Sequence, residues 1–219
     1  MGLVVIVGTG TDVGKTWVTE RLVGSLVSRG SVAVGFKPIQ SGGGDDSDSA
    51  RLAKVSSPGF HLAPLYSFAD PIAPHIAARR QGLPIDLDAI VSRTRSLREH
   101  AQHAILETAG GLFSPITDNA NNADLTLRLT ETPGVKVLLV ARDRIGALHD
   151  VAATVHAGSK LGIRFDALVV SRHDGALDYT VTELSRQWSD VIPYVTATDT
   201  PEWAANTTQH LATAPSPPK

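Results

Sequence analysis

The sequence predicts a three-layer α/β fold around a mostly parallel sheet, and three observations carry that expectation. Short, continuous apolar runs alternate with segments of helical periodicity. No internal repeat is detectable along the chain. The residues able to carry chemistry stand directly after the apolar runs, which is where such sheets bind ligands, beyond the C-terminal strand edge.

Each element can be read in turn. Leu3–Val7 is an unbroken aliphatic run, the pattern of a strand covered on both faces. From Lys15 to Ser28, Val18, Leu22 and Leu26 fall at helical spacing, and Gly30 supplies a C-terminal stop. A second strand covers Val32–Phe36, and a short helix is expected from about Asp48. The Pro-rich stretch from Pro58 to Pro84 reads as irregular or as short helical pieces. Leu87–Arg98 reads as helix, Ala104–Leu106 as a strand ending at Glu107, and Val135–Val140 as another strand. A helix from about Leu148 to Lys160, a strand at Ala167–Val170, a helix at Thr180–Trp188 and a last strand at Val191–Ile192 complete the pattern. One domain is expected over residues 1–205, with a Thr-, Ala- and Pro-rich tail over 206–219.

Bulk composition removes several function classes. With 42% hydrophobic and 19% charged residues, the 219-residue chain can fill a core. A net charge of −2, spread along the chain, offers no footprint for nucleic acid or membrane. The absence of cysteine excludes disulfides, thiolate metal sites and a cysteine nucleophile. The eight histidines lack metal-ligand spacing, and no Gly-x-Ser-x-Gly elbow is present. The N-terminal apolar run is too short for a signal or membrane segment, so a cytoplasmic location is expected.

Gly8-Thr9-Gly10-Thr11-Asp12-Val13-Gly14-Lys15-Thr16 follows the first strand and opens the first helix. Such a loop turns several N–H groups toward an anion, and the helix N-terminus adds its dipole. The lysine reaches terminal phosphates, and the threonine hydroxyl can ligate Mg²⁺. Five residues separate Gly8 from Gly14, one more than in the usual phosphate loop. The strand–loop–helix context and the Gly-Lys-Thr ending support a P-loop nucleotide-binding domain all the same. A dinucleotide fingerprint would want an acid ending the second strand, where this chain has Lys37. Lys37 reads either as a surface charge or, beside a phosphate loop, as a second cation for phosphoryl transfer. Asp45, Asp46 and Asp48 read as solvated acids, a helix cap or a metal ligand, and Glu107 as an acid organising Mg²⁺.

The order of Gly8–Thr16, Lys37-Pro-Ile-Gln-Ser41-Gly, Phe68-Ala-Asp-Pro-Ile-Ala-Pro74-His75, Glu107-Thr-Ala-Gly-Gly-Leu-Phe-Ser-Pro115 and Ile192-Pro193-Tyr194 resembles the dethiobiotin synthetases. The resemblance spans the chain to about residue 200, and the five-residue gap in the loop is typical of that family. It implies a homodimeric enzyme of biotin synthesis. CO₂ would add to one amine of 7,8-diaminononanoate, ATP would phosphorylate the carbamate, and the second amine would close the cyclic urea. By motif position it implies that Lys37, Lys15 and Thr11 carry the chemistry and that Ser41, Gly110, Gly111 and His149 meet substrate, His149 across the dimer. It places Asp12, Val13, Gly14, Lys15, Thr16, Ser171 and Pro193 along the nucleotide, with the role of position 17, a tryptophan, left open. Thr16, Asp48 and Glu107 would hold Mg²⁺. The chain departs from the family pattern at Thr108, at His149-Asp150 and at Ser171-Arg172. Glutamine-dependent amidoligases share this kind of domain but need a cysteine, and partitioning switches need an early loop lysine. This chain has neither.

Overall fold

The computed structural model of the chain describes residues 2–43, 47–172, 177 and 179–213. The chain runs β1 (Gly2–Gly8), α1 (Lys15–Ser28), β2 (Ala33–Phe36), β3 (Ile39–Ser41), α2 (Asp48–Val55), β4 (Tyr66–Phe68), α3 (Pro74–Gln81) and α4 (Leu87–His100). It continues through β5 (His103–Glu107), α5 (Asn122–Thr130), β6 (Lys136–Arg142), α6 (Ala147–Lys160), β7 (Ala167–Ser171), α7 (Thr180–Trp188), β8 (Val195–Ala197) and α8 (Trp203–Thr213). Six strands form one parallel sheet in the order β2-β5-β1-β6-β7-β8, and β3 and β4 pair as a separate parallel ribbon.

The alternation of side chains along β1 explains the three layers. Leu3, Val5 and Val7 enter a core shared with α4, α5, α6 and α7, through Ile90, Leu125, Val151 and Leu184. Val4 and Ile6 enter the opposite core, against Val18, Leu22 and Leu26 of α1 and Trp203 and Leu211 of α8. Every residue from Leu3 to Val7 is fully buried, as an aliphatic run in the middle of a doubly covered sheet should be. Because β5 inserts between β2 and β1, with Phe36 opposite Leu106 and Ile6 opposite Glu107, the residues ending these three strands converge.

Two sequence expectations change. Val191 and Ile192 form no strand: both N–H groups donate to the Trp188 carbonyl, closing α7 (2.9 and 2.7 Å), and the edge strand comes after Pro193. The tail expected from residue 206 instead continues α8 to Thr213, with Thr207, Thr208 and Leu211 buried; residues 214–219 lie outside the described residues. Trp203 stacks on Trp17 (centroids 5.6 Å apart), tying this last helix to the first. Helix α5 was not anticipated, although Asn121 and Asp124 form a capping box at its start, a signal legible as Asn-x-x-Asp. Among the described residues no helix is long and apolar enough to cross a membrane.

Two helical glycines should respond oppositely to the same substitution. Gly24 of α1 has open space where a Cβ would stand, so Gly24→Ala should stabilise by about 0.5–1 kcal/mol through backbone entropy. At Gly158 of α6 a Cβ would lie 2.7 Å from Phe165 Cζ, inside a packed core. Overpacking typically costs about 1–3 kcal/mol, so Gly158→Ala should be net destabilising despite the same propensity gain. Denaturant unfolding of the two variants checks this, and a Gly158→Ala protein as stable as Gly24→Ala would refute the packing account.

Candidate functional site

The loop after β1 is held by backbone requirements that only its glycines meet. Gly14, at φ 93°, turns the chain into α1. A Cβ on Gly8 would lie 2.9 Å from Val13 Cγ2 and 3.0 Å from the Gly10 carbonyl oxygen. Asp12 is the one described non-glycine residue at positive φ (54°). Lys15, the first residue of α1, folds its ammonium back over the loop and donates to the Gly10 carbonyl (2.9 Å). Burial pushes its pKa down from 10.5 to about 8, with Glu107 partly opposing that fall.

Beneath the loop lies a compact group of charges. Glu107 at the end of β5 is fully buried. Its Oε1 accepts from the Thr16 hydroxyl (2.7 Å) and from Lys37 Nζ (2.9 Å), whereas Oε2 has no partner. Lys37, which follows β2, also donates to Asp48 in the first turn of α2. Burial works against the Lys37 charge, but Glu107 and Asp48 outweigh it and raise the pKa. Burial likewise works against the Asp48 charge, and Lys37 with the Thr16 hydroxyl overcomes it, so Asp48 titrates below its usual range. Asp48 is not the cap of α2; the Ser47 hydroxyl fills that role by accepting from Ala50 N–H, which leaves the carboxylate to the cluster.

These groups open into a cleft of about 800 Å³ at the C-terminal edge of the sheet. Thr11, Asp12, Gly14, Lys15, Thr16, Trp17, Lys37, Ser41, Asp48, Glu107 and Gly110 all line it. Val13 is buried beneath the loop. Gly111 packs directly on the phosphate loop, where a Cβ would lie 3.0 Å from Gly10 Cα. Three expected residues stand away from the cleft walls. His149 is exposed on the first turn of α6, Pro193 is exposed before β8, and the Ser171 side chain is buried at the end of β7. Past Ser171 the side chain at the strand edge is Arg172, which donates to Asp143 (2.8 Å) and Asp199 (2.5 Å). Asp45 and Asp46 lie outside the described residues.

The structure also brings in residues that the sequence did not single out. Gln40, Arg51, Ser114 and Arg142 line the cleft. Asn122, fully buried on α5, donates through one amide nitrogen to the carbonyls of Ala109 (2.6 Å) and Gly111 (2.8 Å). It fixes the loop that carries Gly110, whose φ of 79° allows the turn, and Ser114, whose hydroxyl accepts from Gly111 N–H (2.9 Å). Only the fold reveals this brace, because Asn122 is 11 residues from Gly111.

The donor set suits Mg²⁺. Thr16 offers a hydroxyl, Glu107 a buried oxygen without a partner, and Asp48 a carboxylate one-third exposed, all hard oxygen ligands. Among the described residues no group of three or more His, Cys, Asp or Glu side chains could hold a metal. A Mg²⁺ that takes one or two carboxylates and completes its shell with phosphate and water oxygens fits such a site.

A protein-family profile described as an AAA domain matches residues 3–201. An ATP-dependent dethiobiotin synthetase BioD of Anaeromyxobacter sp. (strain Fw109-5) is 38% identical over 189 residues, covering 83% of each chain. The protein of that name from Aromatoleum aromaticum is 31% identical over 216 residues, covering 92% of this chain and 94% of its own. Among solved structures, a ParA family ATPase from Chlorobium tepidum superposes with a TM-score of 0.56 at 10% identity, covering 95% of this chain and 90% of its own. The hydrogenase maturation factor HypB of Archaeoglobus fulgidus gives 0.55 at 16%, covering 95% and 89%. Those two likenesses speak to the fold alone.

Asn122→Ala should strip the Ala109 and Gly111 carbonyls of their donor and destabilise the protein by about 1–3 kcal/mol, measured by denaturant unfolding. Asn122→Asp, of the same shape but without the amide donor, should lose a similar amount. Near-native stability in both variants would remove the brace.

Proposed function

The chain belongs to the ATP-dependent dethiobiotin synthetases, ATP-using ligases of biotin biosynthesis, and from that premise we propose how its own residues run the reaction. On this reading the substrates are 7,8-diaminononanoate, CO₂ and ATP, and the products are dethiobiotin, ADP and phosphate. The protein works as a cytoplasmic homodimer whose ligase domain extends through α8. The observation that carries the mechanism is the pair of buried lysines. Lys15 and Lys37 stand at the floor of one cleft with a fully buried Glu107 between their strands.

An amine adds to CO₂ to give a carbamate, releasing a proton. A carbamate oxygen then forms a bond to the γ-phosphorus while the bond from that phosphorus to the β-phosphate oxygen breaks, and ADP leaves. The second amine forms the new C–N bond at the carbamoyl carbon, the C–O bond to phosphate breaks, and the ring closes with loss of the amine proton. Both partners of the phosphoryl step are anions, so their approach is opposed until cations stand beside them. Lys15 serves the phosphates, and Lys37 the carbamate and the transferring group. Thr16, Glu107 and Asp48 would hold Mg²⁺, which would supply charge neutralisation at the phosphates. Lys37 spans the two carboxylates of that set, which keeps its ammonium charged at the floor of the cleft. Thr11, Ser41 and Gly110 hold the diamine, and Gly111 keeps the backbone close. Ring closure within one held molecule needs no protein nucleophile.

The direct test is incubation with 7,8-diaminononanoate, bicarbonate and Mg-ATP, with dethiobiotin followed by mass. ATP hydrolysis that ignores the diamine, with no dethiobiotin formed, would overturn the reading.

Lys37→Ala should retain nucleotide binding yet lose about 10²–10³-fold in turnover, the cost of one aimed electrostatic contact. A near-normal rate would end its role.

The low pKa of Lys15 makes ATP binding pH-dependent. Below about pH 8 the ammonium is charged in the folded and unfolded chain alike, and its burial costs stability. Between about 8 and 10.5 the folded chain has given up a proton that the unfolded chain keeps, so that cost fades as pH rises. Polyphosphate favours the charged form. ATP affinity should therefore fall above pH 8 by up to about tenfold per unit, with proton uptake on binding. Calorimetry from pH 7 to 9.5 reads both, and Lys15→Arg, permanently charged, should flatten the profile.

A further inference from the structure

The cations at the cleft floor account for the anionic parts of a bound substrate, whereas its nitrogens require acceptors. Gln40, in the middle of β3, lines the cleft and is only 7% exposed. Its Nε2 donates to the Gly42 carbonyl (3.0 Å), and its Oε1 is buried with no partner. That orientation is fixed, because turning the amide over would set two carbonyl oxygens face to face. The acceptor of the carbonyl bond is itself locked. Gly42 N–H donates to Phe68 O (2.9 Å), its φ is 70°, and a Cβ there would strike Pro71 at 2.9 Å. Beside it the Ser41 hydroxyl oxygen is also buried without a partner. A buried amide oxygen that can only accept, set in the wall of a polar cleft, is costly to leave unpaired and is matched by an N–H donor.

We infer that Gln40 is a further substrate-positioning residue, whose Oε1 accepts an N–H of the diamine while Lys15 and Lys37 hold the anionic end of the reacting groups. The inference rests on the ligase reading above and extends it to the amine side of the site. An acceptor fixed in direction holds one nitrogen with its lone pair turned away from the wall, as attack on the carbamoyl carbon requires. It also favours a nitrogen bearing hydrogens over a methylene at that position.

The test uses the full-length protein with Mg²⁺ and a non-hydrolysable ATP analogue, titrated by calorimetry with 7,8-diaminononanoate, 7-aminononanoate and 8-aminononanoate. Gln40→Met keeps the length of the side chain and removes the acceptor. It should weaken the diamine about 10-fold, the size of one lost hydrogen bond, and leave nucleotide affinity unchanged. The monoamine that lacks the contacted nitrogen should bind the variant and the wild type alike, which damage to the cleft wall would not produce. Gln40→Ala gives the same comparison if the methionine variant does not fold. Equal weakening of all three ligands, or unchanged diamine affinity, overturns the inference. A wild-type protein that forms no dethiobiotin overturns the ligase reading itself, and this inference with it.

Discussion

Everything in the site depends on a carboxylate that has no access to water. Glu107 ends a strand wedged between the two whose following residues carry Lys37 and the Lys15–Thr16 pair, and its burial is complete. An isolated charge there would be expensive, so the arrangement is stable only because the ammonium of Lys37 and the hydroxyl of Thr16 share one of its oxygens. The lysines are constrained in turn. Lys37 stays charged because of the acids around it, while Lys15, bonded only to a backbone carbonyl, gives up much of its basicity. Glu107 supports the charge of both lysines, but burial prevails at Lys15, whereas the added contact with Asp48 tips the balance the other way at Lys37.

Much of this was legible in the linear chain because it follows from local rules. Leu3–Val7 could only be a doubly covered strand, and Gly14-Lys15-Thr16 at a helix start carries its own chemistry. Placing Glu107 beside the phosphate loop needed the resemblance or the sheet order, and the observed order β2-β5-β1 supplies it. What stayed hidden depends on distant pairing. The ribbon of β3 and β4 joins two three-residue strands across a segment that contains α2, and both strands are too short for periodicity to mark. Asn122 reads as an ordinary helix-start residue until the fold brings it under the Ala109 and Gly111 carbonyls. Ile192 is apolar because it seats the turn after α7 on the core, while Val191 beside it is exposed, and apolar character alone does not distinguish such a turn from a strand.

The structural neighbours show where fold-level reasoning stops. A ParA family ATPase and the hydrogenase maturation factor HypB share this architecture at 10% and 16% identity, and they are different proteins. Around its phosphate loop this chain sets Lys37 after β2, the buried polar wall at Gln40 and Ser41, and the braced Gly110–Gly111 turn. Past the end of β7, Arg172 donates to Asp143 and Asp199.

The position of β1 has a consequence for how the chain is made. Both of its neighbours in the sheet come from far downstream: Gly2 pairs with His103, and Val4 with Lys136. At translation speeds of about 5–20 residues per second, this wholly apolar strand waits roughly 5–20 s for its first partner, with both hydrogen-bonding edges open. During that interval it is the segment of the nascent chain most exposed to wrong pairing with another polypeptide.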